Sequence, residues 1–439
     1  TDVYSLRLLP EVNLARQYQT FVGGAVCAGD DTYCVATTKG VNPVVPPETW
    51  ARWQKLGLVP PDAQSQAPFP LLRFGDGEPP LPYPKRPHPT RAGAQARPNV
   101  VLTLMESLSG HFIHELSGVY KGLTPGLNDM ARRMTSVQGF YNTASPTVNA
   151  MAAILCSVHP SRHPNDLGIG EETDGQAPMT CLADLLRNQG YRTVFVEPVV
   201  KTVTGIEYFM RTHGFEEVHG RTEIRRALPG RAEGPWGPHD DTLREYIQLQ
   251  IKRLEAQRKV DGRPYLLVYI TIDSHEPGMH DPKTCALPKV VTATGQAIAD
   301  VPDDDASRRQ LASIYCTDRE MGAMSRFILD QPRREDTLWA VTSDHALIRT
   351  PSARRALFKH GWAGGFAPLP FFIHDPRHKL PTNVKVTSGS TDIVPTLMHL
   401  LGGVKGPNSL TGWSVFGRRK DYPFIAGRMG ERLVMMAEP

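Results

Sequence analysis

The chain has 439 residues, of which 40% are hydrophobic and 21% charged, with a formal net charge of +4. That is ample apolar material for a buried core, and the intermixed charges of both signs exclude the basic stripe of a nucleic-acid-binding protein. No apolar run reaches the roughly 18 residues that a membrane-spanning helix needs, although a weakly basic surface is compatible with facing anionic lipid.

Residues 1–21 read as a helix with a mixed apolar face (Leu6, Leu9, Val12, Leu14, Ala15, Tyr18) interrupted by Pro10. The chain opens on Thr1 rather than Met, which reads as a processed or truncated product and is compatible with an anchor upstream of Thr1. From Asn42 to Pro98 prolines are dense, which predicts an extended connector around one short helix near Trp50–Leu56. The expected division is therefore an extension over 1–96 and a catalytic domain over 97–439.

Beyond Arg97 strand and helix patterns alternate, predicting an α/β fold with a central, mostly parallel sheet and helices on both faces. The expected strands are Asn99–Met105, Thr193–Glu197, Tyr265–Ile272, Leu338–Thr342 and Phe371–His374. Helices are expected over Thr124–Arg133, Val148–Cys156, Cys181–Asn188, His239–Gln257, Ser307–Leu329 and Asp392–Leu401. Six cysteines form three sequence-local couples, Cys27 with Cys34, Cys156 with Cys181 and Cys285 with Cys316, although six cysteines allow 15 connectivities. Disulfides would place the chain outside the reducing cytoplasm.

Two of the strands carry the chemistry. Residues 97–110, RPNVVLTLMESLSG, are an apolar β-branched run that stops on Glu106; residues 336–347, DTLWAVTSDHAL, repeat the pattern and stop on Asp344 and His345. Parallel sheets bind ligands at the carboxyl ends of their strands, so hard ligands delivered at two such ends describe a metal site. Between them, Thr147 sits where polar residues give way to a small apolar helix. The positive end of that helix favours an ionised hydroxyl and an incoming anion, while an ordinary helix cap needs the same residue type. Asn142 and Asn149 stand near the same helix start, as phosphate donors or as caps.

Glu106, Thr147 and Asp344-His345 in this order resemble the alkaline phosphatase and sulfatase superfamily, and most closely its lipoteichoic acid synthase and phosphoethanolamine transferase branch. Supporting segments follow in the family's order: GYRTVFVEP at Gly190, FMRTHGFEEVHG at Phe209, GPWGPHDDTL at Gly234, PYLLVYITIDSHEP at Pro264, STDIVPTLMHLLG at Ser390 and TGWSVFG at Thr411. The resemblance runs from about Arg97 to the C-terminus. It implies that Thr147 is both nucleophile and ligand of one divalent metal, manganese or zinc, shared with Glu106, Asp344 and His345.

The resemblance further implies that His275 contacts the transferred phosphate or protonates the leaving oxygen, a loop histidine being the structural alternative. Trp236, His239 and Asn149 are candidates for the headgroup pocket. Consecutive acids after the first strand, typical of two-metal members, are missing because Ser107 follows Glu106. The Cys or Ser with an Arg four positions on, typical of sulfatases, is replaced by Thr147 and Met151, which disfavours formylglycine chemistry. Ala346 and Leu347 also depart from the usual residues after the histidine.

The expected activity is metal-dependent transfer of phosphoglycerol from a phospholipid donor to a glycan or lipid acceptor, at a membrane surface on the periplasmic or extracellular side. The alternatives are phosphoethanolamine transfer, a phosphodiesterase or sulfatase-like hydrolysis in which water resolves the intermediate, and, from another class, a catalytically silent binding domain.

Overall fold

In this computed structural model the described residues are principally 97–158, 180–202, 205–280, 285–291, 305–330, 336–347, 367–404 and 407–417. Residues 80–83 and short strands at 25–27, 34–36, 63–64, 72–74, 424–429 and 432–437 complete them. The helix expected over 1–21 and the one near Trp50–Leu56 lie outside the described residues.

The centre is one eight-stranded sheet. In chain order its strands are β1 (Asn99–Met105), β2 (Thr135–Tyr141), β3 (Arg192–Val196), β4 (Glu217–His219), β5 (Tyr265–Ile270), β6 (Thr337–Ser343), β7 (Phe371–His374) and β8 (Asn383–Gly389). Across the sheet they lie in the order β8-β2-β7-β6-β1-β5-β3-β4. Only β7 runs against its neighbours, antiparallel to both β6 and β2, and every other adjacent pair is parallel. The strands other than β7 therefore all present their carboxyl ends at one edge.

All seven residues of β1 are buried, as are all seven of β6, which is the signature of strands covered on both faces. The period of two divides them between two cores. Val100, Leu102 and Leu104 pack with helices α2 (Thr147–Cys156), α3 (Leu182–Arg187) and α8 (Ile393–Leu400). Val101 and Met105 pack with α1 (Pro125–Arg133), α6 (Asp240–Asp261) and α7 (Asp305–Leu329) on the other face. The one polar side chain buried mid-strand in β1, Thr103, accepts a hydrogen bond from Trp339 Nε1 at 3.0 Å. Cutting Leu102 to Ala would cost about 2–5 kcal/mol through lost burial and the cavity left behind.

The expected mostly parallel sheet with helices on both faces is thus what the chain forms, and the five expected strands are present with boundaries shifted by two residues or fewer. Three strands were not legible. β8 is a half-exposed edge strand, β2 mixes polar residues with a glycine (TSVQGFY), and β4 has three residues. The short helices α4 (Ile206–Thr212) and α5 (Arg221–Ala227) were also missed, the second being polar around one buried residue, Ile224.

Two expected disulfides are formed, Cys156–Cys181 and Cys285–Cys316. Cys27 and Cys34 are register partners in a short antiparallel ladder, but their side chains lie outside the described residues. Among the described residues no helix is long and apolar enough to cross a membrane.

Candidate metal centre and nucleophile

Glu106 follows β1 directly and Asp344-His345 follow β6 directly, and β1 and β6 are parallel neighbours in register from Asn99 and Thr337 to Met105 and Ser343. The pairing alone therefore sets the three side chains at neighbouring strand ends. Two hydrogen bonds cross between the turns: the Ser107 amide donates to Asp344 Oδ1 at 2.8 Å, and the Asp344 amide to the Met105 carbonyl at 3.2 Å. Ser107 adopts a left-handed backbone, φ 52°, at a cost on the order of 1 kcal/mol for a residue other than glycine. That turn is what aims its amide at Asp344, and its hydroxyl also donates to Glu106 Oε1 at 2.7 Å. Thr271, just beyond β5, receives the Glu106 amide at 3.0 Å on its Oγ1.

Thr147 is the first residue of α2, and Pro146 precedes it as the N-cap in extended backbone. Its Oγ1 lies 3.1 Å from His345 Nε2 and 3.4 Å from Glu106 Oε2. His345 Nε2 is 3.3 Å from Asp344 Oδ2 and 3.7 Å from Glu106 Oε1. Glu106, Thr147, Asp344 and His345, widely separated in sequence, therefore converge at the carboxyl edge.

The electrostatics are those of a cation site. Asp344 is completely buried, and its carboxyl is pushed up to about 7, first by burial and then by the nearby Glu106 carboxylate. For His345 burial opposes the charged ring, but Asp344 and Glu106 outweigh it and the net shift is upward. Two carboxylates and an imidazole packed out of water are costly without a counter-charge. Asp344 Oδ2 is moreover buried without a hydrogen-bond partner, as an oxygen kept for a ligand would be. The ligand atoms of Glu106, Asp344 and His345 all lie within 4.8 Å of one another. His345 Nδ1 is 2.9 Å from the Ala346 carbonyl, which can only accept. In the neutral ring the proton is thereby held on Nδ1, and Nε2 turns its lone pair towards Thr147.

His275 lies on the loop after β5, its Nδ1 2.9 Å from the Glu276 carbonyl. Two neighbours tie that loop to the site: the Ser274 hydroxyl donates to the Glu106 carbonyl, and Glu276 acts electrostatically on His345. Trp236, 45% exposed, lays its ring against His275 with centroids 4.8 Å apart. His239 is turned onto Asp273, Nδ1 to Oδ1 2.7 Å, and stacks on His280 at 4.4 Å.

Asn149 is buried and donates from Nδ2 to the Ser145 carbonyl at 3.1 Å, the cap-like use of an asparagine. Asn142, at the carboxyl end of β2, is buried with both side-chain amide atoms lacking hydrogen-bond partners. His378 and His399 are core residues bonded to Asp375 and Ser414, and His360 lies outside the described residues. Sequence reasoning passed over Asp273 and His280; their only signal was proximity to His275 along the chain.

Comparison with known proteins gives a consistent result. The family model described as Sulfatase matches residues 98–404. Phosphoglycerol transferase I of Xanthomonas campestris pv. campestris is 27% identical over 259 residues, covering 57% of this chain and 34% of the relative. The Escherichia coli protein of the same name is 25% identical over 240 residues, covering 54% of this chain and 29% of the relative. The chain thus spans about a third of the length of these curated relatives. Among solved structures, the lipoteichoic acid synthase LtaP of Listeria monocytogenes superimposes with a TM-score of 0.61 at 19% identity, covering 76% of this chain and 78% of that one. An alkaline phosphatase superfamily protein of Vibrio parahaemolyticus gives 0.60 at 19% identity, covering 78% and 76%. At such identity these two likenesses concern the fold.

Proposed function

This chain is a member of the Sulfatase family, within the alkaline phosphatase and sulfatase superfamily, and we propose that it transfers phosphoglycerol from a phospholipid to a hydroxyl of a glycan or lipid acceptor through a phosphothreonine at Thr147. The observation that carries the reading is the convergence of Glu106, Asp344 and His345 on the Thr147 hydroxyl. The named activity of the relatives supports the choice of headgroup.

The donor set fits a divalent cation: two carboxylates, one imidazole nitrogen with its lone pair turned inward, and an alcohol oxygen. A manganese or zinc ion held by Glu106, Thr147, Asp344 and His345 would lower the alcohol's pKa and neutralise phosphoryl oxygens. Thr147 enters the first step as the alkoxide, its proton having gone to solvent. Its Oγ1 forms a bond to phosphorus while the bond from phosphorus to the diacylglycerol oxygen breaks, and His275, protonated, gives its proton to that leaving oxygen. In the second step neutral His275 takes a proton from the acceptor hydroxyl, the new phosphodiester forms, and Thr147 leaves as the alkoxide. The N-terminus of α2 faces the phosphoryl charge throughout. Asn142 supplies amide hydrogens to a phosphoryl oxygen, and Trp236 with His275 lines the glycerol side of the pocket.

The catalytic part is taken to begin at residue 97, behind an extension over 1–96. The disulfides support work outside the reducing cytoplasm, and a phospholipid donor calls for a membrane surface there, periplasmic or extracellular.

The test is incubation with phosphatidylglycerol and, separately, phosphatidylethanolamine, followed by peptide mass spectrometry. A glycerophosphoryl group on the Thr147 peptide is expected with the first lipid. An adduct from phosphatidylethanolamine alone would replace phosphoglycerol by phosphoethanolamine, and turnover that persists in Thr147→Ala would overturn the mechanism.

A further inference from the structure

Beside the site just described lies a second group of side chains that the mechanism does not use. His239 caps the start of α6, while Asp273 and His280 stand on the loop after β5. Asp273 spends its two oxygens separately: Oδ1 is 2.7 Å from His239 Nδ1 and Oδ2 is 2.6 Å from His280 Nε2. The two imidazole rings stack at 4.4 Å, and one ligand atom from each of the three residues lies within 4.8 Å of the others.

The carboxylate is prepared for this. Asp273 is almost completely buried and also receives the Asp240 amide on Oδ2 at 2.9 Å. Asp240, fully buried alongside, is held by the Ile272 amide at 2.8 Å and the Thr317 hydroxyl at 2.7 Å. One anionic oxygen ligand, fixed by an outer ring of hydrogen bonds and flanked by two imidazoles that reach partial exposure, leaves coordination positions open on the solvent side.

We propose that His239, Asp273 and His280 form a second divalent-metal site of the zinc class, distinct in its ligands from Glu106, Asp344 and His345. Binding replaces the protons shared between Asp273 and the two rings by one ion. Its structural effect is to clamp the segment carrying Trp236 to the loop carrying His275, the two residues already in ring contact. The site stands whether or not the transfer reaction is assigned correctly, because its ligands and its readout are separate from Thr147.

The experiment strips the full chain with chelator and titrates it with Zn2+ alone, following heat by calorimetry and zinc per chain by elemental analysis after gel filtration. Two equivalents are expected for the natural sequence, one for Glu106→Gln, one for His280→Gln, and none for the double variant. Loss of His280 should weaken the second step by more than the about 10–100-fold that loss of an outer partner costs. A single equivalent that is abolished by Glu106→Gln and untouched by His280→Gln overturns the site. Should His280→Gln misfold by circular dichroism, the natural sequence decides: Zn2+ should shield His239 and His280 from diethyl pyrocarbonate. Equal modification with and without Zn2+ would also overturn it.

Discussion

The Ser107 amide and the Asp344 carboxylate are joined by a 2.8 Å hydrogen bond that links the turns after two adjacent parallel strands. That bond fixes which Asp344 oxygen remains: Oδ1 is occupied by the amides of Ser107 and His345, and Oδ2 is buried without a hydrogen-bond partner, 3.3 Å from His345 Nε2. The geometry thus favours ligand binding at a cost in stability, and the two can be separated by mutation.

Asp344→Asn should stabilise the chelated protein at pH 8 while weakening its response to metal. The Asp344 carboxyl is raised to about 7 by burial and by Glu106. A folded-state pKa above the ordinary value contributes stability that is complete below the ordinary carboxylate range and lost as pH rises through about 7. At pH 8 the ionised group is therefore a liability that asparagine lacks. Thermal melts should show a higher Tm for the chelated variant, and saturating Zn2+ should raise the Tm of the natural sequence by more than that of the variant, which keeps only the second site. Equal metal-induced shifts in both proteins would remove Asp344 from the ligand set.

Thr147→Ala should lower transfer from phosphatidylglycerol by at least about 10³-fold, because the step loses its nucleophile, not a binding contact. Thr147→Ser keeps the oxygen and should retain measurable turnover. Release of diacylglycerol, with far-ultraviolet circular dichroism as the control for folding, reads both. A Thr147→Ala enzyme within tenfold of the natural one would assign the chemistry elsewhere.

Glu197 gives a pH dependence independent of the metal centre. It is buried just beyond β3 with Oε1 unpartnered, and burial, reinforced by Glu207, pushes its carboxyl up to about 8. Its contribution to stability is present below about pH 4 and disappears as pH rises through about 8. Glu197→Gln should therefore lie close to the natural protein near pH 4 and exceed it by several kcal/mol at pH 9.5 in urea unfolding, since each tenfold change in proton affinity is worth about 1.4 kcal/mol. Parallel profiles over this range would show the carboxyl to be solvated.

The Cys156–Cys181 bridge connects the end of α2 to the residue before α3 across 25 positions. Replacing both cysteines by serine should lower stability by about 3 kcal/mol through restored freedom of the unfolded chain. Denaturant midpoints with and without reductant measure it. A midpoint that reductant does not move, in either protein, would mean that the bridge contributes nothing.

The sequence disclosed most where one signal sufficed. β1 and β6 are fully buried, mainly apolar runs that stop on candidate ligands, so strand and edge could be read together, and Glu106, Thr147, Asp344 and His345 lie close together there. What it hid depended on partners. β8 shows half-exposed residues because it has a neighbour on one side only, and β7 looks like any buried strand although it runs the other way. Asp273 and His280 acquire meaning only when the turn after β5 folds them back towards His239. The ring contact between Trp236 and His275 likewise joins segments 39 positions apart, and no period in the chain announces it.

The His345 ring has a single lone pair to offer. With Nδ1 committed to the Ala346 carbonyl, Nε2 can receive the Thr147 hydroxyl proton or serve an ion, and it cannot do both. The alcohol oxygen lies between that nitrogen, at 3.1 Å, and Glu106 Oε2, at 3.4 Å. Under the proposed mechanism this would work as a safety catch: arming the nucleophile and filling the centre would be one event, so a chain that had not yet met its metal would leave surrounding lipid intact.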